Sequence, residues 1–303
     1  MKVLLDLDLL VSQGKLSAAE AARLESFASQ ETNTLGSNIF LAFGIVAVVI
    51  GAGVLLPTLQ TVLVLGALLF ALGFGLAIGK VERWAVFAQI MMVTGALALG
   101  GSVIALFGEN YLVKPLLAVG FAVAAIAATS GLLAALSVLM LAAAIMTGND
   151  LWDITNDLAV TIVLLSAVVL ALYFLSLRLQ PAYERLAIIA MRTAILAVNL
   201  AFLVGSIFGD SSLDLPGLVF TVAWALALLG LGIWAIFANR RWVVNTVGIF
   251  GAIHFFTQWF AVLGAQPFSI LVGGLLLIGF GLALAQFNQV LHLRRHPPQA
   301  SAA

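Results

Sequence analysis

Arg192, Asn199 and Ser206 recur seven residues apart in one apolar stretch, and His254 and Gln258 lie four apart in another. On a helix either spacing brings side chains to one face. A guanidinium on such a face offers five fixed donors to a carboxylate or phosphate, an amide both donates and accepts, and an imidazole can titrate. The chemistry expected of Arg192, Asn199, His254 and Gln258 is binding of a small anionic or zwitterionic solute inside a membrane bundle, since intramembrane polar residues usually face the protein interior. The alternative is that Arg192 snorkels to the headgroups while Asn199 and Gln258 join helices by hydrogen bonds. Spacing alone leaves both open.

Two other constellations carry less. Asp150, Asp153 and Asp157 would share a helical face, but a hard cation takes six or more oxygens, and the simpler expectation is that Asp157 caps the helix that follows. Ser130-Gly131 and His254 loosely resemble the pair of an intramembrane serine protease. Ser130 falls in a loop, however, and His254 in mid-span, at depths too different for the hydrogen bond such a pair needs. No enzymatic activity, metal, cofactor or nucleic-acid partner is expected. The chain has no cysteine, which excludes disulfides and thiolate chemistry.

The elements that must position these residues are membrane helices. With 63% hydrophobic and 9% charged residues and a mean hydropathy of +1.19, the chain departs from soluble domains, about a quarter of whose residues are charged. Between Glu31 and Lys80 lie 48 residues free of Asp, Glu, Lys and Arg, and between Arg241 and Arg294 lie 52. Each interval holds two spans of about 20 residues. Residues 84–108, 158–177, 186–208 and 215–239 hold one span each. Residues 115–149 are too long for one, and a break at Thr129-Ser130-Gly131 makes two short ones.

Charge parity supports that break. Two spans there put Lys80, Arg83, Arg178, Arg185, Arg240, Arg241, Arg294 and Arg295 on one side, as the positive-inside tendency requires. Ten spans then leave both termini cytoplasmic, with eleven basic residues inside and only Lys114 outside. Pro57, Pro115, Pro216 and Pro267 fall where even-numbered spans begin, a first-turn position at which the missing N–H is harmless. Gly66 and Gly73, a heptad apart, suit close helix approach, an idea that Gly273, Gly274, Gly279 and Gly281 repeat.

Residues 81–120 have a degraded copy downstream. Glu82-Arg83-Trp84-Ala85 is echoed by Glu184-Arg185-Leu186-Ala187, Phe107-Gly108-Glu109 by Phe208-Gly209-Asp210, and Pro115-Leu116 by Pro216-Gly217. Equivalent spans stand an even number apart, so the copies run parallel. The expected fold is all-α and polytopic, ten transmembrane helices arranged as five parallel-repeat hairpins over residues 35–290. A cytoplasmic helical prefix, 1–34, precedes them. In it Gly14 ends a first short helix and Ser17-Ala18-Ala19-Glu20 opens a second as a capping box. The basic tail, 291–303, is expected to be disordered, with Arg294 and Arg295 at the inner surface.

The prefix Gly14-Lys15-Leu16-Ser17-Ala18-Ala19-Glu20-Ala21, the segment from Gly95 to Leu106 and the following Glu109-Asn110-Tyr111 resemble the predicted bacterial membrane proteins grouped as domain of unknown function 2157. The likeness covers the prefix and first four spans, and departs at Glu109, where that family tends to have Gln. It implies a multi-pass protein of the bacterial inner membrane and no established activity. In function the expectation is a transporter or permease-like carrier of a small solute, or alternatively a structural or regulatory scaffold recruiting partners through its prefix.

Overall fold

The computed structural model describes residues 7–21, 23–24, 58–79, 84–108, 110–146, 155–237, 241–264 and 266–295, together with 40, 43–45, 47–48, 50–51 and 54–55. The expectations that rest on Lys80, Arg83, Glu109, Asp150, Asp153, Arg240 and the tail after 295 lie outside these residues. Among the described residues all regular structure is helical except one isolated bridge, Asp210 with Leu215. The helices are α1 (Leu7–Ser12), α2 (Leu59–Ile78), α3 (Ala85–Phe107), α4 (Val113–Ala127), α5 (Gly131–Ile145), α6 (Leu158–Ser176), α7 (Pro181–Phe208), α8 (Gly217–Phe237), α9 (Arg241–Leu263) and α10 (Pro267–Arg295).

Six of them, α2, α3, α6, α7, α8 and α9, are long and apolar enough to cross a membrane. The protein is a helical membrane protein. Helices α4 and α5 have 15 residues each, about 22 Å at 1.5 Å per residue, short of a hydrocarbon core of about 30 Å.

Local chemistry ends and starts these helices largely where the sequence suggests. Gly14 is left-handed, φ 68°, with its N–H on the Val11 carbonyl. Ser17 and Glu20 form the capping box, each side chain accepting from the other's backbone N–H, and the Ser17 hydroxyl and then its N–H, both donating to Glu20 Oε2, hold the Glu20 carboxyl below its usual range. The break after α4 is a Schellman-type turn. Thr129 takes the left-handed conformation, φ 48°, and the Ser130 N–H reaches back to the Ala125 carbonyl. Ser130 then begins α5, its carbonyl accepting from Ala134 and its hydroxyl donating to Gln89 on α3 at 2.6 Å. That hydroxyl is thus engaged structurally. Pro115, Pro216 and Pro267 lie in or just before the first turns of α4, α8 and α10.

The chain divides into two compact units, Met1–Ser137 and Val138–Ala303. In the first, Gly66 of α2 meets Leu99 of α3 and Gly73 meets Met92, one number rising as the other falls, the mark of an antiparallel pair. A Cβ on Gly66 or Gly73 would come within 2.5 Å of those backbone nitrogens, so the helices touch backbone to backbone. An apolar groove between α2, α3 and α4 is lined by Phe70, Leu99, Val103, Leu116 and Phe121.

In the second unit the same inverse pairing joins α7 to α8 (Asn199 with Trp224, Gly205 with Phe220), α8 to α9 (Trp224 with His254, Gly232 with Val247) and α9 to α10 (Trp259 with Ser269, Phe256 with Gly273). Helices α6 and α7 also pack closely. Of the glycines expected to seat the last helix, Gly273 meets the Phe256 ring, whereas Gly274, Gly279 and Gly281 face open space.

One cap differs from expectation. Asp157 occupies the N-cap of α6 but is left-handed, φ 57°, and its side chain makes no cap hydrogen bond. The cap comes from the α7–α8 turn: Asp210 Oδ2 accepts from the Ala159 N–H at 2.8 Å, and Oδ1 accepts from Ser212 and Leu213. The Thr155 and Ser211 hydroxyls are 2.8 Å apart, and the Asp157 N–H donates to Ser212 Oγ. Burial opposes the charge on Asp210, but the bonds from Ala159, Ser212 and Leu213 outweigh it and hold the carboxyl below its usual range.

Candidate functional site

Asn199, His254 and a residue that spacing did not single out, Trp224, converge in the second unit. Asn199 is buried on α7, where its Nδ2 donates to the Ile195 carbonyl of its own helix at 2.8 Å. Its Oδ1 accepts from Trp224 Nε1–H of α8 at 2.9 Å. In hydrocarbon an indole N–H has no water to bond, so the amide satisfies it.

Trp224 is fully buried. Phe202 of α7 lies parallel to the indole with centroids 6.3 Å apart, and His254 of α9 meets it edge-on at 4.9 Å and 75°. Leu158, Ile162, Phe220, Leu228 and Phe250 complete the cluster. The indole occupies the space that a solute bound to Asn199 would need. His254 Nδ1 is buried without a hydrogen-bond partner among the described residues, as is Thr161 Oγ1 of α6. Gln258 lies one turn further along α9, half-buried.

Arg192 is not drawn into this cluster. Its side chain is exposed, with the guanidinium carbon 5.0 Å from the centre of the Trp242 ring, at the second position of α9. A helical side chain leans toward its own N-terminus, on α7 the Pro181 end, and a guanidinium over an indole face is a favourable cation–π arrangement. The heptad thus separates in space: Asn199 turns to α8 while Arg192 runs down to the start of α9. Ser206, the third member, donates to the Leu203 carbonyl of its own helix.

A signal for Trp224 was present in the sequence. Tryptophans gather at membrane interfaces, whereas Trp224 is eight residues into the apolar run from Gly217 to Phe237, where its N–H must find a buried acceptor. Asp210 had no comparable signal, because its partner, the Ala159 N–H, is fifty-one residues away. Among the described residues no group of three or more His, Asp or Glu could hold a metal ion. No family model matches the chain, and neither a curated protein nor a solved structure is found similar to it.

Proposed function

We propose that this chain is a multi-pass protein of the bacterial inner membrane that acts as a structural or regulatory scaffold and carries no solute. The observation behind this reading is the Trp224 indole: it fills the polar face of α7 and takes the Asn199 carbonyl oxygen for itself. A plugged core with the neighbouring arginine turned outward suits helix adhesion better than a passage. In this reading the prefix recruits partners on the cytoplasmic side.

The same proposal includes ten spans in five hairpins with both termini cytoplasmic. Support comes from the turn at 128–130, from the antiparallel pairing of α2 with α3, α7 with α8, α8 with α9 and α9 with α10, and from the eleven-to-one bias of basic residues. The resemblance of the prefix and first four spans to domain of unknown function 2157 supports the bacterial setting.

A carrier for a small anionic or zwitterionic solute is the second reading, favoured by the unpartnered His254 Nδ1 beside Trp224. Thermal unfolding of the purified protein across a panel of small anions and zwitterions separates the two. A bound solute raises stability by about 2.7 kcal/mol at a hundredfold excess over its Kd. The scaffold predicts no response; stabilisation of the wild type that is lost in Asn199→Ala would establish the carrier instead.

A further inference from the structure

Arg192 is a charged side chain in a span, exposed rather than buried, and no carboxylate pairs with it among the described residues. What holds it is the Trp242 ring. Helix α7 has 28 residues, about 42 Å, more than a hydrocarbon core of about 30 Å requires, so one end projects beyond that core. Its polar end is the first, with Tyr183, Glu184 and Arg185. Contact with the second residue of α9 brings the guanidinium toward this end, where aromatic residues and headgroups meet.

Beyond Arg192 toward the other end of α7, Leu196, Leu200 and Ile207 are all about half exposed, at 46%, 46% and 54%. Their steps of four, four and seven continue one face of the helix. A fixed cation thus stands at the foot of an apolar stripe, Leu196 to Ile207, about 17 Å long at 1.5 Å per residue.

We infer that Arg192, braced by Trp242, binds the phosphate of an anionic phospholipid whose acyl chain lies along Leu196, Leu200 and Ile207. The guanidinium suits the phosphate because its planar fork matches two oxygens at once, while the indole face leaves the N–H edge free. The stripe distinguishes a lipid from a free phosphate, which has nothing to lay against it. This site is independent of whether the bundle carries a solute.

The test uses the full chain in detergent, with phosphatidylglycerol, phosphatidylcholine or inorganic phosphate added, read by thermal unfolding and by native mass spectrometry of retained lipid. Phosphatidylglycerol should raise the unfolding temperature and remain bound, whereas phosphatidylcholine and inorganic phosphate should do neither. Arg192→Gln should bind phosphatidylglycerol about tenfold more weakly, as expected for loss of a charge-assisted hydrogen bond. Arg192→Lys keeps the charge and snorkels as well, yet loses the fork, and should bind several-fold more weakly. Equal retention by wild type and the Lys variant would overturn the site, leaving only general attraction to an anionic surface, and the Lys variant decides the matter alone should the Gln variant not accumulate. An equal response to inorganic phosphate would overturn the lipid assignment, and equal retention of phosphatidylcholine would overturn the preference for an anionic headgroup.

Discussion

Helices α2 and α3 are joined by what they lack, and helices α7 and α8 by what they carry. At Gly66, Gly73 and Gly95 the α2–α3 backbones approach until no Cβ fits. Between α7 and α8 the gap at Gly205 is filled by the Phe220 ring, and the Trp224 indole bonds to Asn199. Lipid tails supply no hydrophobic drive for association, so helices adhere through close packing or through polar contacts. The first interface uses shape alone and cannot accept a methyl group. The second has room for large rings but depends on each partner being present.

The largest expected effect is at the aromatic plug. Trp224→Ala removes the largest fully buried side chain among the described residues and should destabilise by about 4 kcal/mol, as large-to-small core changes do. Hydrogen exchange should rise in α7, α8 and α9 and stay unchanged in α2 and α3. Loss of protection throughout α2 and α3 would show that the two interfaces do not stand separately.

Gly73→Ala is the converse. In an isolated helix this change stabilises by about 1 kcal/mol, but here the new methyl meets the Met92 nitrogen at 2.5 Å, and overpacking of this kind costs up to about 3 kcal/mol. Gly75→Ala faces open space and is the control, expected to be neutral or slightly stabilising. If both variants unfold at the same temperature, backbone contact is not what holds α2 to α3.

At the α7–α8 turn, Asp210→Ala removes the cap of α6 and should cost about 2 kcal/mol, within the range for caps and charge-assisted bonds. The pH dependence has a fixed sign. Because folding lowers the Asp210 carboxyl below its ordinary 3.8, its contribution is complete above that value and is lost as pH falls below it through the folded value. Unfolding of the wild type followed from pH 5 downward should show this decline, and Asp210→Asn should flatten it. A wild type and Asn variant with parallel profiles would assign the acid sensitivity elsewhere.

The smallest effect belongs to the hydrogen bond itself. Asn199→Leu leaves the Trp224 N–H unsatisfied, yet polar contacts between membrane helices average only about 0.6 kcal/mol, so a loss near 1 kcal/mol is expected in thermal unfolding. A loss matching that of Trp224→Ala would mean that the bond, and not the volume of the indole, dominates the α7–α8 interface.

Much of this was legible in advance where the cause is local. The left-handed Gly14, the Ser17–Glu20 box and the turn at Thr129–Ser130 each close hydrogen bonds within five residues. Gly66 and Gly73 announced a close approach because a missing side chain is itself the contact surface. Asp157 misled for an instructive reason: an aspartate before a helix is a good cap only if its backbone is extended, and the bonds to Ser211 and Ser212 hold that loop in a left-handed turn, leaving the cap to Asp210.

The sequence by itself determined the class of the protein, the apolar helices, the break at Thr129–Ser130 and the caps at Gly14 and Ser17, because composition and the bonding needs of a backbone in lipid allow few alternatives. Only the tertiary structure decided which polar residues meet. Arg192 and Asn199 share a heptad face, but that face borders two neighbours. The short amide at 199 reaches the indole of α8, and the long guanidinium at 192 leans down its helix to the ring that opens α9. Side-chain length and the register of α8 and α9 set that division, and neither is written in the spacing along α7.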